Sequence, residues 1–380
     1  MKTFLTSTIS ILFAYLSFSQ QTINGSIAHG GITRTYILYV PASYSPGTPA
    51  PLVFNFHGYT SNATQQMFYG DFRPIADTAG FLIVHPMGTL DGSNQPYWNS
   101  GWGGAVDDIG FTSALIDSLA LTYSINQERV FSTGMSNGGF MSYTLACELS
   151  TRIAAIASVT GDFNINQFTT CNPAHPMPVM EIHGTADATV PYSGTAAFAT
   201  IPNTLSYWTA FNSCDLPAIM TPVPNINLID GCTAEHYLYS NGLNGVEVEH
   251  YKIIGGGHTW PNAPITVGIT NRDIDASIKI WEFFMQYDIN GKIGYSGLND
   301  LAASNNYSVY PNPTMNNLTI NGLENTKAIS SLYISNLSGK TVMTIENYNE
   351  NIDVSNLVQG IYFISFSNGN KSETIRFVKQ

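Results

Sequence analysis

RVFSTGMSNGGFMSYTLACE, residues 129–148, runs from a short β-compatible segment through a serine ringed by glycines into an apolar-periodic segment. Ser136 is either a nucleophile held on a strained turn or a small residue where a strand becomes a helix. The pentapeptide GxSxG does not separate the two, because glycine and serine are what any tight turn recruits. It acquires meaning only where a strand leads into it and a helix leads out.

The flanking chain supplies that setting. TRTYILYVP (33–41), PLVFNFHG (51–58), FLIVHPMG (81–88), RVFSTGM (129–135), IAAIASVTG (153–161) and MPVMEIHG (177–184) are short apolar or β-branched runs closed by glycine or proline. Buried parallel strands read this way. Between them lie helical patterns, clearest in DDIGFTSALIDSLALTY (107–123), with Asp107 or Asp108 as N-cap, and in DASIKIWEFFMQY (275–287). Alternating β and α predicts an α/β fold, an open and mostly parallel sheet with helices on both faces. After about Tyr287 the texture becomes polar and glycine-bearing. Beyond it come short alternating strands such as SLYISNLSG, KTVMTI and GIYFISFSNG, which predict a small all-β sandwich domain. The expected organisation is a signal peptide at 1–19, the α/β domain at 20–290, a linker at 291–305 and the β domain at 306–380. No repeat of 20–50 residues is visible.

A chain of 380 residues with 44% hydrophobic content has ample material for a packed core. A formal net charge of -12, only 11% charged residues and no run of Lys or Arg argue against nucleic acid as a partner. MKTFLTSTISILFAYLSFSQQ has one Lys, an apolar stretch from about Ile9 to Phe18 and small residues at Ser17 and Ser19, which is the grammar of a signal peptide. No later stretch reaches the ~20 apolar residues of a membrane span. The expected protein is therefore secreted. Cys147, Cys171, Cys214 and Cys232 allow three pairings, and sequential pairing, 147 with 171 and 214 with 232, closes the shortest loops.

Placed after the strand RVFSTGM and before the helical NGGFMSYTLACEL, Ser136 sits on a strand-to-helix turn where its Oγ projects above the sheet. Side chains at Gly134 and Gly138 would clash with that turn and with the neighbouring strand. A serine hydroxyl is a poor nucleophile near neutral pH, so it needs a base, and the base needs an orienting carboxylate. On this architecture they follow in the order acid, then histidine, each just past a later strand. Asp187 in HGTADATVPY and His258 in GGHTWP meet that requirement. His183 lies in the same segment as Asp187 and reads as a packed or hydrogen-bonding residue. The backbone N–H groups of Tyr59, after FNFHG, and of Asn137 are expected to face a developing oxyanion, with His57 structural. Trp98, Trp102 and Trp260 lie in segments beside these groups and are candidate substrate-binding residues. Among the motifs for metals and organic cofactors, HExxH, GxxxxGK and a GxGxxG opening a strand–helix unit are all missing, so neither a metal nor a cofactor is expected.

LVFNFHG, VDDIGF, GMSNGGFMSYTLACE, AAIASVTG, HGTADATVPY and GGGHTWP together resemble the secreted polyhydroxybutyrate depolymerase and feruloyl esterase family of α/β-hydrolases, over residues from about 30 to 287. The resemblance implies an α/β-hydrolase fold and the roles of nucleophile for Ser136, acid for Asp187 and base for His258. Many relatives carry cysteines around the loop that here reads YWNSGWGGAVDD, and this chain does not. YSVYPNPTMNNLTI, SLYISNLSGKTVM, NIDVSNLVQGIYFISF and ETIRFVKQ resemble the C-terminal sorting domain of the type IX secretion system, which implies that export machinery as a partner. The expected function is that of a secreted serine carboxylesterase. Its substrate is expected to be either a hydroxyalkanoate polyester or a feruloyl or acetyl ester of plant polysaccharide. A serine peptidase using the same triad and a non-catalytic extracellular binding protein are the competing readings.

Overall fold

The computed structural model describes residues 20–295, 308–321, 331–336, 340–346, 351–368 and 371–380. The expected signal peptide, 1–19, and residues 296–305 of the expected linker lie outside them. The chain divides into two units, 1–295 and 296–380.

The first unit is built on ten strands. In chain order they are β1 (Gln21–His29), β2 (Ile32–Val40), β3 (Ala50–Phe56), β4 (Leu82–Pro86), β5 (Ile125–Met135), β6 (Ala155–Val159), β7 (Val179–Gly184), β8 (Ile219–Pro222), β9 (Thr233–Tyr239) and β10 (Val248–Ile254). They are ordered β1-β2-β4-β3-β5-β6-β7-β10-β9-β8 across the sheet. The middle six, β4 to β10, run parallel. β1 and β2 extend one side and β9 and β8 the other, all antiparallel. The parallel strands β3, β4, β6 and β7 are buried along their whole length, which is why their sequences are continuous apolar runs. Periodicity does not reveal β1, β8 and β9, and exposure is the reason. β8 is exposed throughout and β1 alternates exposed with half-buried residues, so neither carries an apolar run.

Six helices cover the sheet: α1 (Ala63–Tyr69), α2 (Arg73–Ala79), α3 (Asp108–Ala120), α4 (Asn137–Glu148), α5 (Ile201–Asn212) and α6 (Ala276–Phe284). Of the two aspartates that could open α3, Asp107 is the cap, its carboxylate accepting from Gly110 N–H at 2.7 Å. Asp108 turns inward instead and pairs with buried Arg34 at 2.6 Å. Successive residues of β3 point to opposite faces. Leu52, Phe54 and Phe56 pack with Phe111, Leu115, Tyr143 and Trp208 of α3, α4 and α5. Val53 packs with Phe72, Ile280 and Phe284 of the α2 and α6 side. Each such buried side chain contributes roughly 1.5–3 kcal/mol.

Residues 291–295, expected to be linker, end the first unit. Gly291–Lys292 pairs with Tyr287–Asp288, and the Tyr295 ring fills the space a Cβ on Gly245 would take.

The second unit has strands β11 (Ser308–Tyr310), β12 (Asn317–Asn321), β13 (Ser331–Asn336), β14 (Thr341–Glu346), β15 (Ile352–Asp353), β16 (Gly360–Asn368) and β17 (Lys371–Lys379). They form two antiparallel sheets, β11-β12-β15 and β14-β13-β16-β17. Leu318, Ile320, Leu332, Ile334, Ile364 and Phe377 form one core between them, as expected of a sandwich.

Cys147 and Cys171 are bonded, closing a loop of sequence separation 24. The expected bond between Cys214 and Cys232 does not form, and both are free. Their short separation in sequence misleads because β8 and the turn into β9 carry the chain away. Cys214 lies by Val246, where β10 begins, whereas Cys232 precedes Thr233, which pairs with Ile254 at the end of β10. The length of that strand stands between the two sulfurs. Denatured without reductant, the protein should yield two alkylatable thiols, Cys214 and Cys232, and one linked peptide pair. Replacing Cys147 and Cys171 by serine should lower the unfolding free energy by about 3 kcal/mol in urea titration, from the loop-closure entropy returned to the unfolded chain.

Candidate active site

Ser136 is the hinge between β5 and α4, with φ 55° and ψ -119°. A non-glycine residue in this region costs about 1–3 kcal/mol and persists only where its surroundings over-determine it. Here they do. Ser136 N–H donates to Val159 C=O at 2.9 Å, and its own C=O accepts from Phe140 N–H at 3.0 Å. A Cβ on Gly134 would stand 2.6 Å from the Phe56 carbonyl oxygen, and one on Gly138 would run into the same peptide group. The glycines on either side of the serine let β5 and the first turn of α4 press against the end of β3.

A second backbone approach brings the acid and the histidine together. Gly184 closes β7 against the loop that follows β10, where a Cβ would strike the carbonyls of Gly256 and Gly257. Thr185 N–H donates to Ile253 C=O and Ala186 N–H to Gly256 C=O, each at 2.9 Å. Asp187 Oδ2 then meets His258 Nδ1 at 2.7 Å, while its Oδ1 accepts from Thr189 N–H at 2.8 Å and Val190 N–H at 2.9 Å. Burial acts to raise the Asp187 carboxyl, but the hydrogen bond and charge of His258 outweigh it and hold the group below the usual carboxylate range. An ionised Asp187 accepts a hydrogen bond from the Nδ1–H of His258, which leaves the lone pair on Nε2.

Ser136 and His258 open onto one cavity of ≈ 590 Å³, whose walls include Tyr59, Phe68, Tyr69, Met135, Ile265 and Val267. Asp187 stays buried behind the histidine. The loop after β3 forms the near wall. His57 is buried, its Nδ1–H donating to Gly58 C=O at 2.8 Å and its Nε2 accepting from Gly88 N–H at 3.0 Å. Burial lowers its pKa to about 4, so it stays neutral in this arrangement. The Asn137 side chain accepts from Trp98 N–H at 2.7 Å and donates to Trp98 C=O and Ser100 Oγ, each at 3.1 Å, clamping the next loop. Among the described residues the backbone N–H groups of Tyr59 and Asn137 have no hydrogen-bond partner.

The structure thus brings together Ser136, Asp187, His258, Tyr59 and Asn137, and corrects the expectation for two tryptophans. Trp98 is fully buried, its Nε1–H donating to His57 C=O at 2.9 Å and its ring 5.0 Å from that of Phe56. Trp260 is likewise buried, donating to Ser277 Oγ at 3.2 Å. Both support the site from beneath, because a large flat ring beside a turn fills volume more readily than it stays open to solvent. Trp102 is exposed, with Phe140 and Phe198 at ring distances of 5.7 and 6.3 Å, and is not part of the cavity wall. Phe68 and Tyr69 of α1, and Ile265 and Val267 after the histidine, line the cavity instead. The signal for the last two was an apolar pair in a loop with no strand or helix period, PITVGIT at 264–270.

Comparison with known proteins agrees with this architecture. Residues 107–213 match the phospholipase/carboxylesterase family model, and residues 308–380 match a secretion system C-terminal sorting domain. The chain is 26% identical over 277 residues to a bifunctional acetylxylan esterase/xylanase of Neocallimastix patriciarum, covering 73% of this chain and 37% of that protein. It is 28% identical over 241 residues to feruloyl esterase B of Piromyces equi, covering 59% of this chain and 42% of that protein. The chain therefore spans less than half the length of these two relatives. The solved acetyl xylan esterase from Aspergillus awamori superposes with a TM-score of 0.50 at 15% identity, covering 70% of this chain and 99% of that one, a likeness of fold. The chain carries a carboxylesterase-type α/β-hydrolase domain. A secretion sorting domain follows it, and the protein is exported. Among the described residues no helix is long and apolar enough to cross a membrane, and no cluster of three or more His, Cys, Asp or Glu could hold a metal ion.

Gly138→Ala should move the urea midpoint down by the equivalent of roughly 1–3 kcal/mol, the usual cost of overpacking, because the added methyl meets β3 backbone that cannot yield. Gly92→Ala, at a glycine where an added Cβ would meet nothing within 4 Å, should change it by less than about 0.5 kcal/mol.

Proposed function

We propose that this protein is a secreted serine carboxylesterase whose catalytic triad is Ser136, His258 and Asp187. The observation that carries the reading is the 2.7 Å Asp187–His258 hydrogen bond beside a cavity that Ser136 shares, with the serine on a positive-φ turn. His258 Nε2 takes the Ser136 hydroxyl proton as Oγ attacks the ester carbonyl, and the tetrahedral oxyanion accepts from Tyr59 N–H and Asn137 N–H. Collapse expels the alcohol, protonated by His258, and leaves an acyl-serine. Water, deprotonated by the same nitrogen, attacks that acyl group, and the acid departs with Ser136 restored. Asp187 keeps its charge throughout and stabilises the imidazolium.

The cavity is larger and more apolar than an acetyl group requires. Tyr59, Phe68 and Tyr69 offer ring faces and Ile265 and Val267 an aliphatic wall, which supports an aryl acyl group such as feruloyl. A hydroxyalkanoate polyester is the second reading, since exposed Ile265 and Val267 extend the apolar surface outward from the cavity. The sorting domain would deliver the enzyme through type IX secretion machinery.

Ser136→Ala and His258→Ala should each lower kcat on p-nitrophenyl acetate by about 10⁴-fold or more with an unchanged circular dichroism spectrum. A Ser136→Ala protein retaining parental turnover would refute the triad. Phe68→Ala should raise KM for methyl ferulate several-fold more than for p-nitrophenyl acetate; equal loss on both would assign the ring to packing. Deleting residues 308–380 should leave purified esterase activity intact and retain the protein inside the native host's outer membrane, and equal release of both forms into the medium would remove the sorting role.

A further inference from the structure

Behind Asp187 lies a buried set of ionisable groups that the proposed reaction does not use. Glu181 and His183 stand two residues apart on β7, so they leave the same face of the sheet, and both are fully buried. His183 Nδ1 meets Glu181 Oε1 at 2.9 Å. His183 Nε2 lies 2.8 Å from the Val190 carbonyl oxygen and 3.5 Å from Asp187 Oδ2, the oxygen that also accepts from His258. The other oxygen of Glu181 accepts from Tyr143 O–H at 2.8 Å. Tyr143 belongs to α4, the helix that Ser136 opens. A chain of hydrogen bonds therefore runs from the nucleophile's helix through Tyr143, Glu181, His183 and Val190 to Asp187 and His258.

The protons on this chain can be assigned. A carbonyl oxygen only accepts, so Nε2 of His183 carries a hydrogen. Nδ1 and a carboxylate oxygen at 2.9 Å would set lone pair against lone pair unless a proton lay between them, so the Glu181–His183 pair holds one more. Burial alone would lower His183, but the hydrogen bond and charge of Glu181 override it and raise it, and burial raises Glu181. Both shifts retain that proton near neutral pH. The pair has no net charge, and its Nε2–H bonds the carbonyl of Val190, the residue whose own N–H bonds Asp187 Oδ1.

The other ionisable groups packed around it do not compete for that role. His250 donates its Nδ1–H to the Glu181 backbone carbonyl at 2.9 Å, and its Nε2 accepts from Tyr192 O–H at 3.0 Å. Burial pushes His250 down to about 3, so it is neutral. Burial raises Tyr192 and Tyr143, which stay protonated. Asp162 is occupied by Thr204, and Lys252 lies over the far face of the Tyr192 ring.

We propose that His183, held by Glu181, is a positioning residue that locks the Asp187 carboxylate in the orientation His258 needs. The inference rests on the triad reading above. Without the pair, the Val190 carbonyl loses its donor, and the turn whose N–H holds Asp187 Oδ1 no longer fixes the carboxylate against His258 Nδ1.

The test uses the full-length protein and p-nitrophenyl acetate, with Glu181→Gln, Tyr143→Phe and Asp187→Asn made singly and Glu181→Gln also made on Asp187→Asn. Glu181→Gln should lower kcat roughly ten- to a hundredfold, as small misplacements of a catalytic group do, with KM held within about twofold because the pair is outside the cavity. Tyr143→Phe keeps the ring in place and should lower kcat to a lesser degree, again with KM held, which preserves the test if the Gln variant folds poorly. On Asp187→Asn the Glu181→Gln effect should vanish, because it acts through that carboxylate. A folded Glu181→Gln with parental kcat, equal loss in kcat and rise in KM, or losses that multiply on Asp187→Asn, would overturn the proposal while leaving the triad standing. Parental activity in Asp187→Asn itself would overturn the triad and the inference together.

Discussion

The structure at the C-terminal edge of the sheet depends on the approach of backbone to backbone without intervening side chains. At one place the first turn of α4 presses on the end of β3, through Gly134 and Gly138; at the other the end of β7 presses on the loop after β10, through Gly184. A methyl group at any of these three positions would meet a peptide group, which has no rotamer to change. The first contact holds Ser136 at its positive φ, and the second delivers His258 to Asp187. Both are made of main chain, so the placement of these loops is set by the same hydrogen-bonded framework that holds the sheet together.

Around that framework the residues divide between supporting and contacting roles. His57, Trp98, Asn137 and Trp260 all lie close to the cavity, yet their side-chain polar atoms are engaged with backbone or with other side chains. They fix two loops and present none of those groups to a substrate. Most of the cavity wall comes instead from the loop after β3, from α1 and from the segment after His258, none of which lies in the sheet. Substitution there reshapes the space with little effect on the parallel strands, which is the usual separation of scaffold from specificity in folds of this kind.

Five of the six parallel strands, β3 to β7, were legible because burial leaves short apolar or β-branched runs, as in PLVFNFHG and MPVMEIHG. TRTYILYVP carries the same kind of run and was expected to be parallel, but it is the antiparallel β2, because an apolar run reports burial and not direction. Ser136 and Asp187 were legible because each stands just past such a run, whereas His258 follows β10, whose VEHYKII mixes charged with apolar residues. The outer strands β1 and β8 were not legible, since β8 is exposed and Thr, Asn and Ser in β1 read as loop. The tryptophans misled for a different reason: adjacency in sequence to a site residue says nothing about which way a ring turns, and Trp98 and Trp260 turn inward. The Cys214–Cys232 expectation failed through the same blindness to direction, since a single strand and its turn between two cysteines carry them to opposite ends of that strand.

Two buried carboxylates near the strand ends differ in how well each suits the acid of the proposed triad. Asp162 follows β6 and Asp187 follows β7, so position alone would admit either. Asp162 Oδ1 accepts from Phe163 N–H at 2.6 Å and Thr204 O–H at 2.7 Å, while its Oδ2 is buried without a partner among the described residues. Burial therefore dominates and pushes Asp162 up to about 7. Asp187 has both oxygens occupied, two backbone N–H groups on one and His258 on the other, and its carboxyl falls below the usual range despite burial. A carboxyl that is half protonated at neutral pH would hold an imidazole in the right tautomer only part of the time, whereas one that is always ionised holds it throughout. What distinguishes the two is the supply of N–H donors in the turn after β7, where the backbone of Thr189 and Val190 folds back over the carboxylate. That turn, and not the aspartate as such, makes the position after β7 the one that can serve a histidine base.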